Sequence, residues 1–318
     1  MKSILVTGGA GFIGVNLCLK LILAGHNVFC LDNLYSSSLE NIKELISNDR
    51  FTFVNHDICT SLEFDGKFNE IYHLACPASP IFYQKDPLYT LNTCYLGTRN
   101  VLEFAKRKSA RVLFTSTSEV YGDPLVHPQQ ETYFGNVNTI GPRSCYDEGK
   151  RVAESIMINY HLQENVDIRL VRIFNTYGPR MHMDDGRVIS NFILAALKNE
   201  AITIHGDGMQ TRSFCYVSDM VQGLINTMQS HHYLGPINLG NPHEITLKHL
   251  CNKIMVGVGS NSIVRYVERR QDDPMQRCPD ISLAKEQLEW VPQVCLDDGL
   301  MKTINYYSSL LDKTSTIV

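Results

Sequence analysis

The chain alternates two patterns of hydrophobic positions over residues 1–177. Short apolar and β-branched runs predict strands at residues 4–6, 28–31, 51–54, 71–75, 111–115 and 166–173. Apolar residues at helical spacing predict helices between several of these strands, at residues 12–24, 88–108 and 143–163. Because strands that alternate with helices form parallel sheets covered on both faces, we predict an α/β fold with a doubly wound parallel sheet.

Beyond residue 177 the hydrophobic pattern is less regular and predicts a second, smaller α/β unit. We expect the chain to return to the first sheet over residues 213–241, so the two domains interleave. The first domain is predicted to span residues 1–177 and 213–241, and the second mainly residues 178–318. Residues 312–318 are expected to form a frayed tail.

Three glycines at three-residue spacing, Gly8, Gly11 and Gly14, follow the first predicted strand. A helical pattern starts among them at Phe12 and Ile13. A strand, a glycine turn and a helix form the arrangement that binds a dinucleotide pyrophosphate, because N–H groups at the helix N-terminus approach the phosphates. The first domain is therefore predicted to be a Rossmann-type dinucleotide-binding domain, and the smaller domain to bind substrate.

The second predicted strand ends at Asp32, and Asn33 follows it. An acid at this position suits the ribose hydroxyls of NAD and repels the additional phosphate of NADP. Asp57 lies after the third strand, where it either meets the adenine amino group or caps the next turn. We expect NAD as the cofactor, with further contacts from residues near later strand ends, namely Ile58, Leu74 and Thr117.

Composition excludes several other classes of protein. The 318 residues are 44% hydrophobic and 19% charged, with a net charge of −4, so we expect no nucleic-acid partner. No apolar run approaches the length of a membrane span, and no leader is expected before the first strand. The ten cysteines include no C-x-x-C pair, which favours reduced thiols in the cytoplasm, and we expect no metal site.

A second group of polar residues has the spacing of an acid–base site. Tyr146 and Lys150 are four residues apart at the start of a predicted helix, so both lie on one face. A lysine ammonium beside a phenol favours the phenolate and lowers the pKa of the phenol toward that of a useful base. Ser118 ends the fifth strand, where its hydroxyl can bind the substrate oxygen, and Glu119 adds a carboxylate.

These motifs together resemble a known enzyme family. Thr7-Gly8-x-x-Gly11-x-x-Gly14 with Tyr146-x-x-x-Lys150 is similar to the extended short-chain dehydrogenase/reductase family. Longer runs resemble the UDP-glucuronate decarboxylases (UDP-xylose synthases) within it, at residues 73–80, 115–124, 143–154, 172–186, 210–214 and 271–274.

The resemblance implies a closed redox cycle on a nucleotide sugar. Tyr146 would take the proton of the sugar 4-hydroxyl while NAD oxidises C4, and the resulting 4-keto acid would lose carbon dioxide. Return of the hydride would give UDP-xylose and regenerate NAD. Glu119 would act as acid or base at C5, and Arg277 would lie near the diphosphate and the carboxylate. The implied contacts of the nucleotide sugar are Pro77, Asn175, Arg187, Arg212, Tyr216 and Arg277.

The chain departs from the family pattern at Asn92-Thr93-Cys94, where relatives usually carry lysine, threonine and asparagine. The family lysine faces the sugar carboxylate, so Asn92 is expected to grip that group more weakly. Two other functions remain open. One is a 4-epimerase or 4,6-dehydratase of the same fold, although a dehydratase usually has an aspartate where this chain has Ser118. The other is an NAD-binding sensor without catalytic activity.

The resemblance also implies a homodimer. The two long predicted helices, at residues 88–108 and 143–163, carry more apolar residues than one sheet face covers. In the family such helices pair across a two-fold axis into a four-helix bundle.

Overall fold

The computed structural model describes residues 1–231, 233–269 and 276–315 of the chain. The predicted motif at residues 271–274 lies outside them, as do residues 316–318 of the expected tail. The final helix extends through Ser315, so residues 312–315 are helical, and the prediction of a frayed tail from residue 312 was wrong there.

A seven-stranded parallel sheet forms the centre of the protein. The strands are β1 (Ser3–Thr7), β2 (Asn27–Asp32), β3 (Phe51–Asn55), β4 (Glu70–His73), β5 (Arg111–Thr117), β6 (Ile168–Ile173) and β11 (Ile237–Leu239). Their order across the sheet is β11-β6-β5-β4-β1-β2-β3, so successive strands are added on one side of β1 up to β3 and on its other side from β4 onward, as in a dinucleotide-binding sheet. The predicted α/β fold with a doubly wound parallel sheet is thus confirmed.

Helices cover both faces of this sheet. Central strands such as β1 and β5 bury nearly every side chain, which explains why their sequences read as continuous apolar runs. The helices of this part of the chain are α1 (Phe12–Leu23), α2 (Pro80–Tyr83), α3 (Pro87–Asn92), α4 (Thr98–Lys108), α5 (Ser144–Glu164) and α7 (Val217–Gln229).

The predicted helix at residues 88–108 is present but contains a wider turn. Between α3 and α4 the chain forms a π-helical turn, Thr93–Gly97. The Thr93 hydroxyl donates a hydrogen bond of 2.8 Å to the carbonyl of Tyr89, a side-chain bond that competes with the regular helical ladder. Such π turns often occur at functional sites, and Thr93 of this one lines a cavity at the edge of the large sheet.

The smaller region contains short sheets and four further helices in the described part of the chain. Strand β11 rejoins the large sheet beside β6, while the domain boundaries themselves stay a prediction. The pairs are β7 (Thr176–Tyr177) with β10 (Cys215–Tyr216), β8 (Ile202–His205) with β13 (Val264–Val267), and β9 (Thr211–Ser213) with β12 (Glu244–Thr246). The helices are α6 (Val188–Leu197), α8 (Leu247–Val258), α9 (Ser282–Leu288) and α10 (Leu296–Ser315).

Candidate active site

One cavity lies along the carboxyl ends of the parallel strands, where open α/β sheets bind ligands. All residues predicted to contact the cofactor line it, although their binding role stays a prediction. They are Gly8, Gly11, Phe12, Ile13, Gly14, Asp32, Asn33, Asp57, Ile58, Leu74, Thr117, Tyr146 and Lys150.

The glycine turn lets β1 and α1 approach each other closely. Gly8 has a φ of +70°, and a Cβ there would lie 2.8 Å from the backbone nitrogen of Ala75. A Cβ on Gly14 would lie 2.1 Å from the carbonyl oxygen of Gly8. Among the described residues no side chain caps α1, whose first residues Phe12 and Ile13 line the cavity. Its N-terminal N–H groups therefore suit a pyrophosphate.

Asp32 is held in place by its own loop. One of its carboxylate oxygens accepts hydrogen bonds from the Leu34 N–H (2.9 Å) and the Ser37 hydroxyl (2.8 Å). The other oxygen accepts one from the Ala10 N–H at 3.1 Å, which leaves it a lone pair for a ligand hydroxyl. The carboxylate is thus preorganised at the cavity wall, as a ribose contact requires.

Asp57 belongs to a polar cluster at the same end of the cavity. The Tyr89 hydroxyl donates to its carboxylate at 2.9 Å, and the Asn33 amide donates at 3.2 Å. Burial would raise the pKa of Asp57, but the hydrogen bonds, led by that of the Cys59 N–H, outweigh it and lower the pKa. Sequence reasoning missed Tyr89, because the helical pattern alone does not indicate which residue turns toward the cavity.

Tyr146 and Lys150 lie on one face of α5, as predicted. The Tyr146 ring is buried and stacks on Tyr83, with ring centres 5.1 Å apart. The Lys150 ammonium donates to the Thr115 carbonyl at 2.8 Å. Burial dominates here and raises the pKa of Tyr146 well above its ordinary value, opposed by a hydrogen bond with Thr117. The prediction that the neighbouring lysine lowers the pKa of Tyr146 was therefore wrong, because burial raises it.

Ser118 and Glu119 form the turn that follows β5 and line the cavity beside Tyr146. Glu119 forms two parallel hydrogen bonds with the Arg277 guanidinium and an ion pair of 2.5 Å with Arg143. Burial opposes ionisation, but the charges of the two arginines lower the pKa of Glu119 to about 2. Glu119 is therefore a carboxylate at neutral pH.

Two functional neighbours of Glu119 escaped the sequence analysis. Arg143 lies just before α5, in a run that the sequence identified as a helix start and as part of the family resemblance, without a role for this residue. Asp147 is buried in the first turn of α5, and its Oδ1 has no hydrogen-bond partner among the described residues. Burial and the charge of Glu119 raise the pKa of Asp147 to about 8, despite Arg143 at 3.7 Å. The neighbouring carboxyls thus hold opposite protonation states near neutral pH.

The residues predicted to contact the nucleotide sugar divide into two groups. Pro77, Asn175 and Arg187 line the cavity, and Arg187 donates to the Ala78 carbonyl at 2.9 Å. Four other residues are absent from the described lining of the cavity: Asn92, Arg212, Tyr216 and Arg277. Of these, Arg277 is connected to the cavity by its hydrogen bonds to Glu119, which does line it.

The residues outside the lining have distinct surroundings. Asn92 is exposed at the end of α3, while Arg212 is buried and donates to the Thr211 carbonyl at 2.8 Å. The buried Tyr216 ring packs edge-on against Tyr177, with ring centres 5.6 Å apart. Their contacts with a nucleotide sugar stay predictions.

Two features of the described chain bear on metals and membranes. His127, Glu244 and Cys278 place possible metal ligands within 4.8 Å of one another, but His127 and Glu244 already form a 2.9 Å pair. We assign no metal to this surface group. Among the described residues, no helix combines the length and the apolar character needed to cross a bilayer.

Comparison with known proteins places nearly the whole chain in one family. A family model described as GDP-mannose 4,6 dehydratase matches residues 5–303. UDP-glucuronic acid decarboxylase 6 of Arabidopsis thaliana is 55% identical over 298 residues, which are 93% of this chain and 86% of the relative. UDP-glucuronic acid decarboxylase 1 of Danio rerio is 51% identical over 311 residues, 98% of this chain and 74% of the relative.

A solved structure supports the same grouping. UDP-glucuronic acid 4-epimerase from Bacillus cereus, in complex with UDP-glucuronic acid and NAD, superposes with a TM-score of 0.87 at 28% identity. The match covers 97% of this chain and 99% of that chain. Together with the glycine turn and the Tyr146–Lys150 pair, these similarities show that the chain belongs to the extended short-chain dehydrogenase/reductase family, in its group of UDP-glucuronic acid decarboxylases.

Proposed function

We propose that the protein is an NAD-dependent decarboxylase that converts UDP-glucuronate to UDP-xylose through a 4-keto intermediate. Relatives named for this activity are 50–55% identical over 93–98% of the chain. The observation in the structure that carries the proposal is the convergence of Ser118, Glu119 and Tyr146 on one cavity, with two arginines on Glu119.

The part of the cavity at the carboxyl ends of the strands has the groups that NAD binding requires. The uncapped N-terminus of α1 would bind the pyrophosphate, and Asp32 would accept hydrogen bonds from a ribose. When bound, NAD supplies the acceptor and later the donor of a hydride at C4 of the sugar. Lys150 would move from the Thr115 carbonyl to the nicotinamide ribose and place its charge near the phenol of Tyr146.

Tyr146 is the group proposed to remove the proton of the 4-hydroxyl. Its hydroxyl bonds with Thr117 and its ring is fixed against Tyr83, so the phenol has little freedom to turn away. Ser118 would bind the same sugar oxygen as it changes from hydroxyl to ketone. A positioned proton acceptor of this kind contributes roughly 10²–10⁴-fold to rate.

Glu119 and Arg277 are proposed to act on the carboxyl side of the sugar. While Arg277 and Arg143 hold Glu119, its pKa of about 2 makes it a weak base. A substrate carboxylate would compete for Arg277 and loosen the pair, and the pKa of Glu119 would then rise. Once protonated, Glu119 could then donate a proton to C5, the carbon from which the carboxyl group leaves as carbon dioxide.

A same-fold alternative is epimerisation at C4, and it predicts different products. Solved epimerases share the fold at 28–29% identity, whereas the decarboxylases are about twice as similar in sequence. The purified protein should be incubated with UDP-glucuronate, with sugar products identified by NMR and carbon dioxide measured. UDP-xylose and carbon dioxide in equal amounts support the proposal, whereas UDP-galacturonate without carbon dioxide contradicts it.

A homodimer formed by the long helices is part of the proposal. The chain from α3 to α5 has large apolar side chains that are exposed, namely Leu88, Tyr95, Val152 and Leu162. A four-helix bundle across a two-fold axis would cover such side chains. Sedimentation over a range of concentrations tests it, and a monomer mass at every concentration would contradict it.

The cytoplasm is the proposed location. All ten cysteines are free thiols, and seven of them are buried as small apolar groups. Free thiols of this number are typical of proteins kept in a reducing compartment. Fractionation of the source cells, with the protein followed by immunoblot, tests the location.

A further inference from the structure

Two cysteine thiols are in contact at the wall of the candidate active site. The sulfur atoms of Cys76 and Cys94 are 3.4 Å apart, although the residues are 18 positions apart in the sequence. Cys76 follows β4, is half-buried and lines the cavity. Cys94 is buried inside the π turn between α3 and α4.

This thiol pair packs close to Tyr146 and Lys150, the two side chains on α5 that are proposed to take part in catalysis. Cys76 packs in the same small apolar cluster as Tyr146 and Tyr83. On the other side, Cys94 lies so close to α5 that a Cβ on Gly149 would be 3.0 Å from its sulfur. Gly149 directly precedes Lys150, so a displacement of either cysteine reaches the residues that handle the proton and the cofactor.

The two thiols differ in reactivity. Burial alone would raise the pKa of Cys76, but the hydrogen bond from Cys94 and the charge of Lys150 outweigh it and lower the pKa. The same hydrogen bond and burial raise the pKa of Cys94 well above its ordinary value. Cys76 lines the cavity and Cys94 is not in its described lining, so an oxidant in the cavity would reach Cys76 first, and Cys94 would be placed to resolve the oxidised form.

We propose that Cys76 and Cys94 are an oxidisable dithiol, which a hydroperoxide converts to a disulfide that reversibly inactivates the enzyme. The Cys76 sulfur attacks a peroxide oxygen, the O–O bond breaks, and a sulfenic acid and one water form. The Cys94 thiol then attacks that sulfur and releases the second water. Two thiols are oxidised and one hydrogen peroxide is reduced, so atoms and electrons balance.

The disulfide inactivates because its geometry differs from that of the thiol contact. A disulfide bond is about 2.05 Å long, so the two sulfurs must approach by more than about 1 Å. Forming the bond would draw the loop after β4 and the π turn toward each other, and both border the cavity. A misplacement of about 1 Å costs roughly 10²-fold in rate. NAD in the cavity should also slow the oxidation by covering Cys76, a consequence that rests on the proposed function.

The test compares reduced and peroxide-treated enzyme. After treatment with hydrogen peroxide, non-reducing peptide mapping should show one cross-link, between Cys76 and Cys94, with two thiols lost. Activity should fall by about ten- to a hundredfold and return with dithiothreitol. The matched control is Cys295→Ser, which removes an exposed thiol outside the described cavity lining and should leave both results unchanged.

Several results would overturn the proposal. These are a cross-link to Cys59 instead, full activity in the cross-linked enzyme, or equal inactivation of Cys94→Ser by peroxide. A second probe needs no variant, since phenylarsine oxide bridges paired thiols and should be removed by a dithiol but not by a monothiol. The cross-link and arsenical readouts do not depend on the sugar substrate, so they stay informative if the decarboxylase proposal fails.

Discussion

Arg277 binds Glu119 through two parallel hydrogen bonds, one of them 2.6 Å long, across 158 positions of the sequence. Both groups are largely withdrawn from water, and Arg143, the residue just before α5, approaches the same carboxylate. A planar guanidinium fits a carboxylate better than an ammonium does, because its two N–H groups match the two oxygens. The pair therefore fixes both the charge and the orientation of Glu119 beside the cavity.

Replacing Arg277 by lysine should keep the charge but lose the paired hydrogen bonds. We expect kcat/KM for UDP-glucuronate to fall by about ten- to a hundredfold, which corresponds to roughly 1.4–2.8 kcal/mol. The matched control is Arg265→Lys on the exposed part of β13, which should leave kcat/KM near wild type. Equal kinetics for the two variants would show that the paired geometry of Arg277 is not needed.

Asp147 should make the protein less stable as pH rises. Its pKa is about 8 in the folded protein against an ordinary 3.8, so between these values the folded state holds a proton that the unfolded state releases. The free energy of unfolding therefore decreases with increasing pH across this window. Asp147→Asn removes the ionisation, so its melting temperature should exceed that of wild type at pH 8 by about 2–4 °C.

The difference between wild type and Asp147→Asn should shrink toward pH 4, because Asp147 is then protonated in the folded protein and increasingly so in the unfolded chain. Thermal melts from pH 4 to pH 9 check this. Glu148→Gln is the matched control, since it makes the same acid-to-amide change one position along at a partly exposed side chain. Parallel pH profiles for wild type and Asp147→Asn would contradict the raised pKa.

Tyr146→Phe should remove turnover while keeping the binding site. We expect kcat to fall by about 10²–10⁴-fold, because only the proton acceptor is lost. Calorimetry should show NAD and UDP-glucuronate affinities close to those of wild type. Tyr83→Phe removes the hydroxyl of the stacked ring, which has no hydrogen-bond partner among the described residues. That control should keep most of the activity, and a Tyr146→Phe variant with full rate excludes the proposed role.

Asp32 should determine the choice between NAD and NADP. Removing the carboxylate in Asp32→Ala should lower the preference for NAD over NADP by about ten- to a hundredfold. Asp32→Asn keeps the shape of the side chain but removes its charge, so it should show how much of that preference is due to the charge. Asp49→Ala, at an exposed acid outside the described lining of the cavity, is the control. Binding titrations with both cofactors check this, and an unchanged preference would mean that Asp32 only orders its own loop.

The cofactor side of the cavity could be predicted from the sequence because its signals are local. The glycines, the start of α1 and Asp32 lie within 32 residues, and each type of residue has a direct physical reason at its position. The same holds for Tyr146 and Lys150, which one helical turn brings to the same face.

The carboxylate side could not be predicted in the same way, because its contacts join distant segments. No local pattern shows that Arg143 and Arg277 meet at Glu119, or that Cys76 touches Cys94. Cys94 lies in the π turn, which changes the helical register after α3. Hydrophobic spacing does not reveal such a turn, so it does not predict the contact between the two cysteines. Burial decided the pKa of Tyr146, and burial is known only from the fold.

Asn92 gives the most direct test of how this chain holds the sugar carboxylate. Its side chain is exposed at the end of α3, one residue before Thr93, which lines the cavity. A lysine is longer and charged, so Asn92→Lys should attract the carboxylate from the cavity rim. Because water screens an exposed ion pair, we expect KM for UDP-glucuronate to fall by only about two- to fivefold.

The chemical rate should respond to Asn92→Lys differently from KM. A cation that holds the carboxylate stabilises bound substrate at least as well as the transition state, in which charge moves toward the 4-oxygen, so kcat should not increase. Asn92→Gln lengthens the side chain without charge and is the matched control, with KM expected near wild type. Steady-state kinetics at low and high salt complete the test, since the gain in KM should shrink as salt screens the pair. An unchanged KM in Asn92→Lys at low salt would show that position 92 does not contact the carboxylate.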